Sequence, residues 1–363
     1  MSPARTPLGR RPTSAPRVAN PLNASPLNAD PLNANPMNAS PTNADLRKRD
    51  RPSGRTRIGR RVATWRWLAF FVLWLPAMAV QGQTRPSDRP DDPDLSPRTV
   101  TLRTHDGLSL RAFYFPSAKG KRAIPVLLVH EWGGQGSPYS GLVEALREAG
   151  CAVLVPEYRG HGGSREQVDV RGNAVTLDPG AMRRFDALAV VNADLEAARS
   201  FLKDENNEGR LNLNALAVIG VGEGALLAAH WVIADWRFPS IGAKKQGQDV
   251  KALVMVSPQR NFMGIGIDPI LRDPTFLGLP VMVMAGADSP EAAEADRIAR
   301  QLESMKRRVG RGRALRFAQV MPGTNLSGPR LINDVPEVVP AIVRFVTNEI
   351  DTSPEQTPWI ERN

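Results

Sequence analysis

The chain is poor in the residues that staple or metallate small folds. Its 363 residues hold one cysteine, Cys151, and four histidines, His105, His130, His161 and His230. A single cysteine excludes an intramolecular disulfide and any cysteine-based zinc cluster. No histidine follows residue 230, so the last third of the chain has no imidazole to offer. Long hydrophobic runs are also missing. The longest, from Trp67 to Val80, has 14 residues, short of the roughly 20 that cross a bilayer as a helix. Most of the chain lacks net charge as well. The formal charge is +10, but residues 1–66 carry 13 of the 47 basic and 3 of the 37 acidic side chains. From Val80 onward the two signs balance at 34 each. A polyanion-binding role for the whole chain, and with it a nucleic-acid partner, is thereby excluded.

What is present divides the chain into segments. Residues 1–66 form a basic extension in which Pro-Leu-Asn-Ala-x recurs from Pro21 through Pro26, Pro31, Pro36 and Pro41. Proline at every fifth position among small polar residues supports neither helix nor sheet, so disorder is expected. The apolar segment 67–80 follows an Arg-rich flank and ends in Ala77-Met78-Ala79. Basic flank, short apolar run and small-x-small triplet read as a secretory signal peptide, and an uncleaved anchor is the alternative. No cysteine follows the run, which excludes a lipoprotein anchor. A start of translation near Val62 would give a signal peptide of ordinary length, and the pair Arg60-Arg61 reads as chance within an Arg-rich flank. The expected location is outside the cytoplasm: periplasm, cell envelope or medium. Residues 81–97, rich in Pro and Asp, form a linker; a domain spans 98–349, and 350–363 make a C-terminal tail.

Within the domain, strands alternate with helices. Thr99 to Thr104 and Leu108 to Phe115 flank Asp106-Gly107, a hairpin signal because both residues tolerate positive φ. Six short apolar runs follow: Ile124–Val129, Ala152–Val155, Leu216–Val221, Ala252–Val256, Val281–Ala285 and Leu315–Val320. Such continuous runs are strands buried on both faces of a parallel sheet. Leu188, Val191, Leu195 and Ala198 share one helical face, as do Ile298, Leu302 and Met305, and Ile342, Phe345 and Val346. The fold class is a three-layer α/β architecture with a mostly parallel eight-stranded sheet and an N-terminal hairpin.

Ligands bind such sheets beyond the carboxyl ends of the strands. The loops there read His130-Glu131-Trp132-Gly133-Gly134, Glu157-Tyr158-Arg159-Gly160-His161-Gly162-Gly163-Ser164, and Gly220-Val221-Gly222-Glu223-Gly224. In this order, with the opening hairpin, the chain from Arg98 to about Glu349 resembles the α/β-hydrolase family, and its His130-Glu131-Trp132 loop is similar to the dienelactone-hydrolase branch. The resemblance implies an ancestral hydrolysis of small ester or acyl substrates. It also implies a nucleophile on a strained Gly-x-Ser-x-Gly turn, with Cys for Ser in the dienelactone branch. The flanks Gly220 and Gly224 are kept, but the central residue is Gly222, which has no nucleophile. The acid is expected where Ser289 or Asp288 stands, and Ser289 followed by Pro290 also reads as a helix N-cap. The base is expected in the loop Pro322 to Gly328, around Asn325, where no histidine occurs. All three triad positions, Gly222, Ser289 or Asp288, and Asn325, are therefore degenerate.

What survives at this edge is a candidate pocket of His130, Glu131, Trp132, Glu157, Arg159, His161 and Glu223. Its conservative reading is structural, with Glu131 or Glu157 pairing with Arg159. A rebuilt acid–base or metal site from the same residues is the sharp alternative, although their spacing is no recognised metal signature. Cys151, at the amino end of its strand, reads as a small buried apolar residue. Gly220 to Ala225 also fits the dinucleotide fingerprint, with Asp235 at a plausible distance, but four strands precede it and the next strand ends in Ser257. Only Pro258 to Leu279 is available for a lid, and Glu166 to Ala181 is an insertion placed to fold over the site. The expectation is an exported, catalytically inactive hydrolase-fold protein that binds a small molecule or an envelope protein, without a cofactor. An active hydrolase with a non-standard site and a dinucleotide-binding protein are the alternatives.

Overall fold

The computed structural model describes residues 94–168, 172–241, 245–310 and 316–362. The basic extension, the apolar segment 67–80 and most of the linker lie outside the described residues. Eight strands form one sheet: β1 (Arg98–Arg103), β2 (Ser109–Phe115), β3 (Ile124–Val129), β4 (Cys151–Pro156), β5 (Leu216–Val221), β6 (Val250–Val256), β7 (Val281–Met284) and β8 (Phe317–Val320). Their order across the sheet is β1-β2-β4-β3-β5-β6-β7-β8. β1 runs antiparallel to β2, and β2 antiparallel to β4, while every other neighbouring pair is parallel. Every residue of β3, β4 and β5 is buried, as continuous apolar runs require when helices cover both faces.

The helices divide between those faces because strand side chains alternate. Val126 and Leu128 join the layer of α1 (Ser140–Glu148), α7 (Gly328–Asp334) and α8 (Val338–Glu349), which contributes Leu142, Leu331 and Ile342. Leu127 and Val129 join the opposite layer, built by α3 (Leu195–Asn207), α4 (Glu223–Arg237), α5 (Pro274–Gly278) and α6 (Ala292–Gly310). A short helix α2 (Arg184–Ala189) runs into α3 through a π-helical turn, Val190–Asp194. The widened turn interrupts the ordinary 3.6-residue spacing, a device common at sites where one side chain must be re-aimed. Here that side chain is the carboxylate of Asp194, which is fully buried.

Two expectations are revised. The hairpin turn is longer than Asp106-Gly107, since Arg103 pairs with Ser109 and only Gly107 takes positive φ, at 95°. Asp106 is spent on Arg159 instead, at 2.8 Å. The C-terminal residues are also more than a tail. Asn212, Asn214 and Asn206 donate side-chain hydrogen bonds to the carbonyls of Thr357, Pro358 and Ile360. Arg362 is 3% exposed and reaches Asp249 and Asn214. An asparagine amide presents a donor to passing backbone without a charge to desolvate; Asn207 likewise donates to the Arg362 carbonyl, and the Trp359 indole donates to the Asn206 carbonyl.

Candidate functional site

Strand β5 ends on a sharp turn into α4, and Gly222 occupies its apex at φ 58°, ψ −127°. Only a residue without Cβ adopts this conformation at low cost. The flanking glycines serve close approach. A Cβ on Gly220 would lie 2.5 Å from the Ala225 Cα, and one on Gly224 would lie 2.1 Å from the His130 carbonyl oxygen. Both glycines thus let strand and helix approach closely, as the sequence reading of these flanks expected.

The loop after β3 faces this turn. The Trp132 amide donates to Glu223 Oε2 at 3.1 Å, and Gln259 Nε2 donates to Glu223 Oε1 at 2.8 Å. In a hydrolase elbow, an amide of this loop and the amide after the nucleophile hold the developing oxyanion. Here a carboxylate already accepts from the Trp132 amide. Glu131 stands on the other side of Gly222, its Cβ 3.1 Å from where a Gly222 Cβ would be, and its carboxylate accepts from the buried Tyr139 hydroxyl. Among the described residues, neither Glu131 nor Glu223 has an ion-pairing cation.

The two predicted pocket histidines are enclosed. His130 is fully buried, stacked 4.1 Å from the Tyr158 ring, and its Nδ1 bonds the Glu131 carbonyl at 2.7 Å. His161 is 1% exposed and bonds the Arg159 carbonyl through Nδ1 at 2.8 Å. A carbonyl can only accept, so both Nδ1 atoms carry the proton and both Nε2 atoms present lone pairs. Those Nε2 atoms are buried without a partner. Burial pushes the His130 pKa down to about 3 and that of His161 to about 4. Trp132 packs edge-on to His161 at 4.7 Å and against Phe262 at 5.0 Å. The four rings Trp132, Tyr158, His130 and His161 thus make a closed aromatic cluster, and the histidines do not line an open pocket.

The expected partners of Arg159 are corrected. Glu157 pairs with Arg111 at 2.6 Å and accepts from the Gly163 amide, both below the loop, and Glu131 holds Tyr139. Arg159 binds Asp194 through Nε at 3.0 Å and Nη2 at 2.7 Å, and its own amide donates to the same carboxylate. Sequence reasoning missed Asp194. Its signal was a charged residue inside the apolar stripe of Val190, Val191 and Leu195, which has to be paired if it is to be buried.

The N-cap reading of Ser289 is likewise corrected. Helix α6 starts at Ala292, so Pro290 is not its first residue, and the Ser289 hydroxyl is buried without a partner instead of capping. Asp288 and Asn325 are exposed. Gly286 lies against the carbonyls of Thr324 and Leu326, and the Asp288 amide donates to the Thr324 carbonyl at 3.0 Å, so the two loops meet through backbone contacts. Cys151 is buried at the amino end of β4, with its thiol pushed up to about 12 by burial. Asp235, the ribose-binding candidate of the dinucleotide reading, is buried in α4, where it accepts from the Asp249 and Val250 amides. Among the described residues no cluster of three His, Cys, Asp or Glu side chains forms a metal site. The insertion does reach the edge. Its hairpin, Glu166–Val168 with Ala174–Thr176, leads to Pro179, whose carbonyl accepts from the Trp132 indole at 3.3 Å. The lid segment folds as a two-residue hairpin around Asn261–Phe262 and the short α5.

No family model matches the chain. An uncharacterized protein of Mycobacterium tuberculosis is 26% identical over 267 residues, covering 69% of this chain and 79% of its own. Among solved structures, an esterase of Pyrococcus furiosus matches with TM-score 0.49 at 16% identity, covering 71% of this chain and 92% of its own. A dienelactone hydrolase of Anabaena variabilis matches with TM-score 0.47 at 16% identity, covering 70% and 96%. The strand order, the antiparallel β2, the sharp β5–α4 turn at Gly222 and the helices on both faces establish that this chain has the α/β-hydrolase fold.

Proposed function

We infer that this chain is an exported α/β-hydrolase-fold protein that has no hydrolytic activity and acts by binding at the carboxyl edge of its sheet. The observation that carries this reading is the hydrogen bond from the Trp132 amide to the Glu223 carboxylate beside Gly222. An oxyanion forming there would lose one amide donor and meet a negative charge, which opposes the electrostatic stabilisation acyl transfer depends on. Gly222 supplies no attacking atom, and the loop Pro322 to Gly328 supplies no base. His130 and His161 do not replace it, because a base must reach its proton and both Nε2 atoms are enclosed. Export rests on the basic flank, the apolar segment 67–80 and Ala77-Met78-Ala79.

The decisive experiment is p-nitrophenyl ester turnover by the full chain. The expected rate equals that of an unrelated folded protein. Turnover above that level, abolished by His130→Ala or His161→Ala, would overturn the reading. For the binding role, a ligand of the edge raises the melting temperature, and Trp132→Ala removes the effect. An envelope partner that co-purifies with wild type and Trp132→Ala alike would instead favour a scaffold role.

A further inference from the structure

At the amino edge of β6, β7 and β8, opposite Gly222, lies a cavity of 360 Å³. Small-molecule sites span about 300–1,000 Å³, so it has room for one small ring-bearing compound. Its apolar wall is Trp236 near the end of α4, with Leu279, Pro280 and Ile350. The indole is fixed in orientation, since Nε1 donates to the Val250 carbonyl at 3.0 Å. Lys306 donates to the carbonyls of Leu277 and Leu279 and so ties down the segment leading into β7. The docked C-terminal segment closes the cavity with Gln356 and Thr357.

Two cations line this space with donors to spare. Lys251 lies 5.0 Å from the centre of the Trp236 ring and makes one hydrogen bond, to the Gln248 carbonyl at 2.7 Å. Among the described residues it has no carboxylate within ion-pair distance, whereas its neighbours Lys245 and Arg362 both pair with Asp249. Burial and the nearby Lys245 push the Lys251 pKa down to about 8, the mark of an ammonium short of compensating charge. Arg316 commits Nε and Nη2 to Glu349, and among the described residues its Nη1 has no partner. Both carboxylates that line the cavity are engaged: Glu349 holds Arg316, and the exposed Asp351 accepts from the Ser353 amide.

We propose that this cavity binds a small aromatic carboxylate, with the carboxylate on Lys251 and Arg316 and the ring against Trp236. The site is independent of the carboxyl edge, and its failure leaves the inactivity reading untouched. The pairing follows from chemistry. An ammonium with unused donors gains most from an anion, and a fixed indole face favours a flat ring over an aliphatic chain.

The test is titration of the full chain with 4-fluorobenzoate, followed by fluorine NMR and calorimetry. Saturable binding of one equivalent is expected. Lys251→Met should weaken it by about tenfold or more, as loss of a charge-assisted hydrogen bond does, and Lys251→Arg should retain it within about threefold. Arg316→Gln, half-exposed and so safe for folding, should weaken binding by about threefold, which keeps the test open if Lys251→Met does not fold. 4-Fluorobenzylamine, with the same ring and opposite charge, should not bind. Absence of saturable benzoate binding, equal binding by the amine, or indifference to both Lys251→Met and Arg316→Gln would each overturn the proposal.

Discussion

Placing a side chain on Gly222 separates the backbone strain of the elbow from its chemistry. At φ 58° and ψ −127°, a residue bearing Cβ costs on the order of 1–3 kcal/mol relative to glycine. The new Cβ would also lie 3.1 Å from the Glu131 Cβ, close enough that one of them must give way. Taking about 2 kcal/mol in total, and about 2–4 °C per kcal/mol for a domain of this size, Gly222→Ala should lower Tm by about 4–8 °C. Gly222→Ser should lower it by the same amount, because the cost belongs to Cβ and not to the hydroxyl. Differential scanning calorimetry on the two variants and wild type measures this. The paired assay is p-nitrophenyl ester turnover, in which Gly222→Ser should match Gly222→Ala. A serine variant as stable as wild type would refute the strain argument. Turnover by the serine variant more than about tenfold above the alanine variant, some 1.4 kcal/mol of barrier, would refute the claim that base and oxyanion donors are missing.

Three further outcomes are expected. His130 and His161 are held neutral, about 3 and about 4 in the fold against about 6.5 when unfolded, so the unfolded chain binds more protons below neutrality. Their contribution to stability is complete above pH 6.5 and is lost as pH falls toward 4, by up to about 1.4 kcal/mol per histidine per pH unit; urea unfolding at pH 7 and pH 5 measures it, and His161→Gln should flatten the dependence. The Cys151 thiol, pushed up to about 12 and buried, should resist iodoacetamide in the native protein and react fully in urea, and labelling at equal rates in both would show that the strand end is open. Arg362→Ala removes a buried guanidinium that bonds Asp249, Asn214 and the Lys245 carbonyl, while Arg199 and Lys245 still pair with Asp249; a loss of about 1–3 kcal/mol is expected from the lost charge-assisted hydrogen bonds, with earlier proteolytic cleavage near residue 350, and an unchanged unfolding midpoint would mean that the C-terminal segment does not stabilise the domain.

The sheet was legible because its central strands are continuous apolar runs, a pattern local to six residues at a time. The elbow was legible for a related reason: Gly220, Gly222 and Gly224 sit between a strand and a helix, and a turn that tight admits few residue types. That the loop Pro322 to Gly328 holds no imidazole could be read by counting, since no histidine follows His230. Polar partners were another matter. Arg159 is expected beside Glu131 or Glu157 because all three project from one sheet edge, whereas its partners Asp194 and Asp106 come from 35 residues downstream and from the opening hairpin. Ser289-Pro290 has the composition of a helix start, but the chain makes a further turn before α6, and composition does not count turns.

The amino-acid sequence alone determined that this chain builds a hydrophobic, helix-covered sheet and that a glycine-rich turn joins a central strand to its helix, because both are properties of short contiguous segments. Only the tertiary structure decided where the charges go. It set Glu223 against the Trp132 amide, closed His130 and His161 into an aromatic cluster, and left Lys251 facing a cavity whose wall runs from Trp236 through Leu279 and Arg316 to Thr357. Charge pairing acts through space at a few ångströms, and which side chains come that close is fixed by how the strands and helices pack, not by their order along the chain.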